Sequence, residues 1–347
     1  MIGGLVTALL VAVAPTTAAG LTPAQLAGQR VVYGFPGTAP PAELEARIGR
    51  GEAGAVLLLG ANIAGLDGAR ALIDRLQSIR RPAGLRAPLL VMVDQEGGLV
   101  RRLPGPPARR PVEIGAAGPA SARAAGLAAG RLLRGVGANV DLAPVADVAR
   151  PGSALARDGR LFGTSAPAVA GAAVAFSRGL AAAGVAATAK HFPGLGAAQE
   201  TTDAAPVRIA LPVRALRSVD MAPFAALIRR DVPLVMLGTA VYPALDPGTP
   251  AALSRAIATR ELRGRLGFRG VSVTDALDTP ALAPVGGPGT VAVRAAGAGS
   301  DLVMYTGLAN GAAAAGALRD EIASDPAARG AAEDSVARVL ALRERLR

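Results

Sequence analysis

The feature that most limits what this chain can fold into is an alternation repeated eight times. Short runs of β-branched residues and leucine lie at 31–34, 55–59, 89–94, 139–142, 186–191, 234–237, 271–274 and 302–305. Between them run longer stretches rich in Ala, Arg and Leu, such as 41–50, 66–80, 120–136, 166–183, 215–230 and 255–266, with a last helical stretch at 326–347. Strands that are apolar at nearly every position are buried on both faces. Parallel neighbours need a crossover, and a helix between strands supplies it. Eight such units predict an α/β fold with a single (β/α)8 TIM-type barrel. An open doubly wound sheet is the alternative, but no Gly-rich dinucleotide fingerprint follows the first strand. The proline-rich stretch 104–111 reads as an irregular loop. No shift in composition divides the chain, so residues 20–347 are expected to form one domain.

Composition sets further bounds. With 51% apolar and 18% charged residues, the chain can bury a core and is not disordered. Cysteine is absent, which removes disulfides, thiolate metal sites and cysteine nucleophiles. One histidine rules out a histidine-rich metal site. The 37 Lys and Arg outnumber the 26 Asp and Glu, a formal charge of +11. That excess is either an arginine-rich surface or an attraction to an anionic polymer. Nucleic acid is disfavoured, because the basic residues are scattered, aromatics are only 3% and Trp is absent. Only one of the 37 cations is a lysine, Lys190, and the sole histidine is its neighbour His191. Arginine does not replace lysine where a compact ammonium must fit, so the pair marks a site.

The N-terminus carries an apolar run from Ile2 to Val13, with small residues at Thr17 and Ala19. It reads as a signal-peptide-like segment over residues 1–19, cleaved after Ala19, although no Lys or Arg precedes the run. A secreted or cell-envelope protein is expected. The run is short for a membrane span, and no cysteine offers a lipid anchor. No stable membrane anchor is expected after its removal.

In a barrel the chemistry sits at the C-terminal ends of the strands. Here those ends carry Asp94-Gln95-Glu96-Gly97-Gly98, then Asp141-Leu142-Ala143-Pro144 with Asp147, then Lys190-His191-Phe192-Pro193-Gly194, then Thr274-Asp275-Ala276-Leu277. An acidic residue at one strand end is often just a helix cap. A whole set at one mouth suits glycosidic bond cleavage, where one carboxylate attacks or stabilises an oxocarbenium-like centre while a second group protonates the leaving oxygen. A lone lysine at a strand end equally fits Schiff-base chemistry, and sequence spacing does not separate the two.

These stretches, with Arg102, Arg160-Leu161-Phe162-Gly163, Tyr242-Pro243-Ala244-Leu245-Asp246 and Leu266-Gly267-Phe268-Arg269-Gly270-Val271, resemble glycoside hydrolase family 3 in its single-domain β-N-acetylglucosaminidase branch. The motifs follow the family order over nearly the whole chain. The resemblance implies a barrel and a retaining exo-glycosidase that removes terminal β-linked GlcNAc from cell-wall or chitin-type glycans. By resemblance Asp275 is the nucleophile, and Asp94, Arg102, Arg160, Lys190 and His191 hold the terminal sugar. A carbohydrate substrate is the partner implied, with no metal and no organic cofactor.

One element departs from the family pattern. This branch places a histidine, its acid/base, on a loop after the Lys-His-Phe-Pro-Gly run, and here no second histidine exists. Counting forward from Lys190 puts Asp203 at that position; counting back from Pro206 puts Thr202 there. Asp203, or alternatively Glu200, is the candidate acid/base. A further family position, often histidine, reads Gly238-Thr239. The alternative reading is a catalytically impaired member that binds glycans.

Overall fold

The computed structural model describes residues 18–347. The signal-like reading falls almost wholly on residues 1–17 and lies outside them. All eight apolar runs become strands of one closed barrel: β1 Val31–Tyr33, β2 Ala55–Leu58, β3 Leu90–Val93, β4 Val140–Asp141, β5 Ala186–Phe192, β6 Leu234–Leu237, β7 Val271–Ala276 and β8 Leu302–Tyr305. Each pairs in parallel with the next, and β1 closes the ring on β8. The ladder is regular between β2 and β3, where Ala55 to Leu58 face Leu90 to Val93 in order. It shifts between Ala189 and Phe192 of β5, where the site-bearing end of that strand bends out of register.

Alternation along the strands divides the core in two. Val32, Leu57, Met92, Leu142, Met236 and Val273 fill the barrel interior, while Val31, Val56, Val91 and Val235 face the surrounding helices. The helical layer is built from small residues that allow close approach. A Cβ at Gly126 would lie 2.1 Å from the Phe176 carbonyl oxygen, and one at Gly179 would lie 2.3 Å from that of Arg123. The helices Pro119–Gly135 and Ala166–Ala182 therefore pack nearly backbone to backbone.

Two helical expectations are modified. The 215–230 stretch opens with wide i→i+5 turns at Leu216–Asp220 before Ala222–Ile228. Pro223 has no N–H to give to Val219, and a wide turn absorbs the missing bond. The 255–266 stretch is likewise wide-turned over Ala256–Arg265. In the proline-rich stretch, Pro111 already starts a short helix, Pro111–Ala116. A two-stranded ribbon, Gln95–Gly97 with Val100–Arg101, rises from the end of β3.

The last helix, Pro326–Arg345, closes the bottom of the barrel. Its Val339 and Leu342 pack against the interior residues. Arg343 is wholly buried there. Its guanidinium donates to the carbonyls of Pro88 (2.7 Å), Leu85 (3.1 Å) and Ala87 and to the Gln29 side chain. Arg343→Ala strands these acceptors in a dry site. It is expected to lower the unfolding free energy by about 3 kcal/mol in urea titration; a loss below about 1 kcal/mol would show that water replaces the guanidinium at little cost.

Candidate active site

The C-terminal ends of the strands open onto a cavity of about 340 Å³. Asp94, Arg102, Arg160, Lys190, His191 and Asp275 all line it, so the fold brings the expected sugar-binding residues and the expected nucleophile together. Its apolar walls include Leu57, Leu142, Met236 and Met304, the upper layer of the barrel interior.

Asp94 follows β3 directly, and the ribbon after it is pinned by Gln95. The Gln95 amide donates to the carbonyls of Leu103 (3.2 Å) and Pro106 (2.9 Å) and accepts from the Leu103 N–H (3.1 Å). Gly97 and Gly98 make the tight return with φ of +115° and +59°. A Cβ at Gly97 would strike the Arg109 carbonyl at 2.6 Å. This return brings Arg102 back beside Asp94, with Nη2 at 3.5 Å from Oδ2.

Lys190 stands at the end of β5 and is buried. Its Nζ lies 2.7 Å from both Asp94 Oδ1 and Glu96 Oε1. Arg160 grips Glu96 with two bonds, of 2.9 and 2.7 Å. Burial pushes the Glu96 carboxyl up, but Lys190 and Arg160 overcome it and hold it at about 2. Burial likewise pulls Lys190 down, and Asp94 with Glu96 reverses this, to about 12. Both groups stay charged at any working pH.

His191 is oriented from behind. Its Nδ1 lies 2.8 Å from Asp147 Oδ2, and the same carboxylate accepts the backbone N–H groups of His191 (3.1 Å) and Leu195 (2.7 Å). Asp147 thus fixes both the ring and the turn that follows it. The turn is also held where the Tyr242 hydroxyl donates to the Gly194 carbonyl at 2.9 Å. Gly238 lies under the His191 Cβ, and the buried Thr239 hydroxyl finds no partner among the described residues.

Asp275 sits at the end of β7, its Oδ1 accepting the Ala276 N–H at 2.9 Å. Burial raises its pKa above the usual carboxylate value, and Asp203 adds to this; His191, the Ala276 N–H and Lys190 act against it.

The loop that lacks the second histidine separates its two candidate acids. Thr202 is buried and its carbonyl accepts from the Thr279 hydroxyl at 2.5 Å, which ties this loop to the one after β7. Asp203 is exposed and lines the cavity rim, its carboxylate accepting from the Thr201 hydroxyl at 3.2 Å. Glu200 points elsewhere. It borders a separate hollow with Gln199, Pro206 and Arg208 and does not line the cavity. Sequence alone cannot give this, because a few loop residues turn the chain from one face to the other.

Neither Glu96 nor Asp147 is singled out by the motifs, although both stand inside them. Their signal is the density of carboxylates around one lysine and one histidine. A third such residue, Asp141, is wholly buried. Its Oδ1 accepts the Gln95 N–H at 3.0 Å, while Oδ2 has no partner among the described residues. Burial pushes its carboxyl well above the usual range; the Gln95 N–H and Lys190 resist, and Asp94 and Glu96 push it further.

Residues 23–342 match the family model described as the glycosyl hydrolase family 3 N-terminal domain. The chain is 38% identical over 288 residues to a secreted glycosyl hydrolase of Arthroderma benhamiae, covering 81% of each. It is 35% identical over 246 residues to a beta-hexosaminidase of Xanthomonas oryzae pv. oryzae, covering 68% of this chain and 72% of the relative. Among solved structures, the beta-N-acetylhexosaminidase of Beutenbergia cavernae superposes with a TM-score of 0.85 at 35% identity, covering 94% of this chain and 99% of that one. A family 3 beta-N-acetylglucosaminidase of a Paenibacillus strain gives a TM-score of 0.87 at 34% identity over 94% of this chain, which spans 63% of that longer protein.

Asp141 yields a pH test. A carboxyl whose pKa is raised by folding binds more protons folded than unfolded. Its contribution to stability is full below about pH 4 and is lost as pH rises toward the folded value. Asp141→Asn keeps the neutral shape and removes that loss. Urea titrations from pH 4 to 8 are expected to show the variant losing less stability than wild type across this window. Parallel curves would mean that Asp141 ionises as an ordinary carboxylate.

Proposed function

The chain belongs to glycoside hydrolase family 3, in its β-N-acetylglucosaminidase branch, and on that premise we propose that it is a retaining exo-glycosidase removing terminal β-linked GlcNAc from cell-wall or chitin-type glycans. One observation carries the reading. Asp275 stands in a single cavity with Asp94, Arg102, Arg160, Lys190 and His191 around it and Asp203 at the rim. Carboxylates and cations in this arrangement accept from and donate to the hydroxyls of one sugar ring. A cavity of about 340 Å³ closed below by the barrel core suits a terminal residue rather than the middle of a chain.

In the first step an Asp275 oxygen bonds to the anomeric carbon as the glycosidic bond breaks. The leaving oxygen takes a proton from Asp203. In the second step Asp203 takes a proton from water, the water oxygen attacks the anomeric carbon, and Asp275 leaves; two inversions give retention. The backbone N–H of Ala276 holds Asp275 Oδ1. Asp203 must carry a proton to act as the acid, so substrate covering the rim has to shield it from water. Likeness to a secreted hydrolase supports an exported protein, and among the described residues no helix is long and apolar enough to cross a membrane.

The second reading, an impaired enzyme that binds glycans, is favoured by the exposure of Asp203 and the missing histidine on its loop. Two substrates separate them: an aryl β-N-acetylglucosaminide, which needs little protonation, and a GlcNAc disaccharide, which needs it. The enzyme reading expects turnover of both. Asp275→Asn is expected to lose about 10⁴-fold on each. Asp203→Asn is expected to lose about 10²-fold on the disaccharide and only a few-fold on the aryl substrate. Binding of GlcNAc with no turnover of either substrate would establish the binder.

A further inference from the structure

We propose that Glu96 is a positioning residue: it touches no substrate, and it sets the spacing and direction of the two cations, Lys190 and Arg160, that grip the terminal sugar. The proposal rests on the glycosidase reading.

Glu96 is only 2% exposed and does not line the cavity, whereas both of its partners do. Those partners come from unrelated elements. Lys190 lies near the C-terminal end of β5, and Arg160 lies in the loop after the short helix Ala154–Arg157. No secondary structure ties that loop to β5 at this point. The tie is a single carboxylate oxygen, Oε1, which accepts from Arg160 Nη2 and Lys190 Nζ at 2.7 Å each. Among the described residues Glu96 is the only hydrogen-bond partner of the Arg160 side chain. Two buried cations this close repel each other, and the shared anion between them removes that cost. It also uses one N–H of Lys190, as Asp94 uses another, which leaves one N–H for a sugar hydroxyl.

Glu96 is itself placed from below. The preceding N–H, that of Gln95, donates to Asp141, and the Gln95 side chain locks the ribbon. The ionisable groups facing Lys190 from every side are Asp94, Glu96, Asp141, Arg160 and Asp275, with His191 adjacent in sequence. Of these, Asp94 meets the cavity, so Glu96 is the buried anion of the set that holds both cations.

The test compares Glu96→Gln and Glu96→Asp with wild type on the aryl β-N-acetylglucosaminide, reading KM, kcat and the melting temperature. Lack of wild-type turnover would defeat the glycosidase reading itself. With an active wild type, Glu96→Gln is expected to raise KM by about 10- to 100-fold and to lower kcat less, since the lost bonds are charge-assisted ones that act on bound sugar. Glu96→Asp keeps the charge; it is expected to stay within about tenfold of wild type in KM, raised at least about threefold, with kcat close to wild type. A role confined to stability would lower the melting temperature and leave KM alone. The proposal is overturned if Glu96→Gln keeps a wild-type KM, or if both variants are impaired alike. Should Glu96→Gln fail to fold, Glu96→Asp decides: an unchanged KM overturns the proposal, and the expected rise in KM with kcat close to wild type supports it.

Discussion

A parallel strand cannot be followed by its neighbour without a crossover, and a sheet of such strands has edges unless it closes on itself. Here eight strands close completely, with β1 against β8. Every other feature depends on that ring. Because all strands run the same way, all their C-terminal ends meet at one mouth. Residues as far apart as Asp94 and Asp275 become neighbours without any long-range device of their own. The opposite end has a different task. It is closed by the last helix and by Arg343, whose partners are backbone carbonyls and one amide. The division is one of stability below and chemistry above.

Within the mouth, burial is turned in opposite directions by neighbours. Glu96 and Asp141 are both buried acids near Lys190. Glu96 has two cations in hydrogen-bond contact and is held at about 2. Asp141 has one backbone N–H and lies beside two other carboxylates, and its pKa rises. The site thus holds a fixed anion, Glu96, where cations must be aimed, and disfavours charge on Asp141, whose Oδ2 has no partner among the described residues. Asp275 lies between these limits, with burial raising its pKa and His191 and a backbone N–H restraining the rise. Partly desolvated but still opposed by nearby positive groups, Asp275 suits the proposed role of attacking a carbon that gains positive character.

Much of this was legible in the sequence, for physical reasons that differ by residue. The strands showed because burial on both faces leaves runs such as Leu-Val-Met-Val with no polar interruption. Lys190 and His191 showed because arginine had displaced lysine elsewhere. The wide turns before Pro223 did not, since apolar periodicity cannot distinguish them from an ordinary helix until the proline is weighed. The ribbon at Gln95–Gly97 was too short for a periodic signal. Glu96 and Asp147 were hidden inside motifs whose other members face the cavity. Asp203 and Glu200 are three residues apart, and motif spacing put Asp203 first with Glu200 as the alternative. Only the path of the loop, tied down at Thr202, puts one at the cavity rim and the other over a separate hollow.

The central claim is that the barrel delivers Asp275 to the anomeric carbon as a nucleophile. The most direct measurement is mass spectrometry of the protein after incubation with a 5-fluoro N-acetylglucosaminyl fluoride, which slows release of a glycosyl–enzyme. The mass of the protein is expected to rise by one fluorosugar, with the adduct on the peptide that carries Asp275 and none formed by Asp275→Asn. An adduct on another carboxylate, or continued turnover of an aryl substrate by Asp275→Asn, would contradict it.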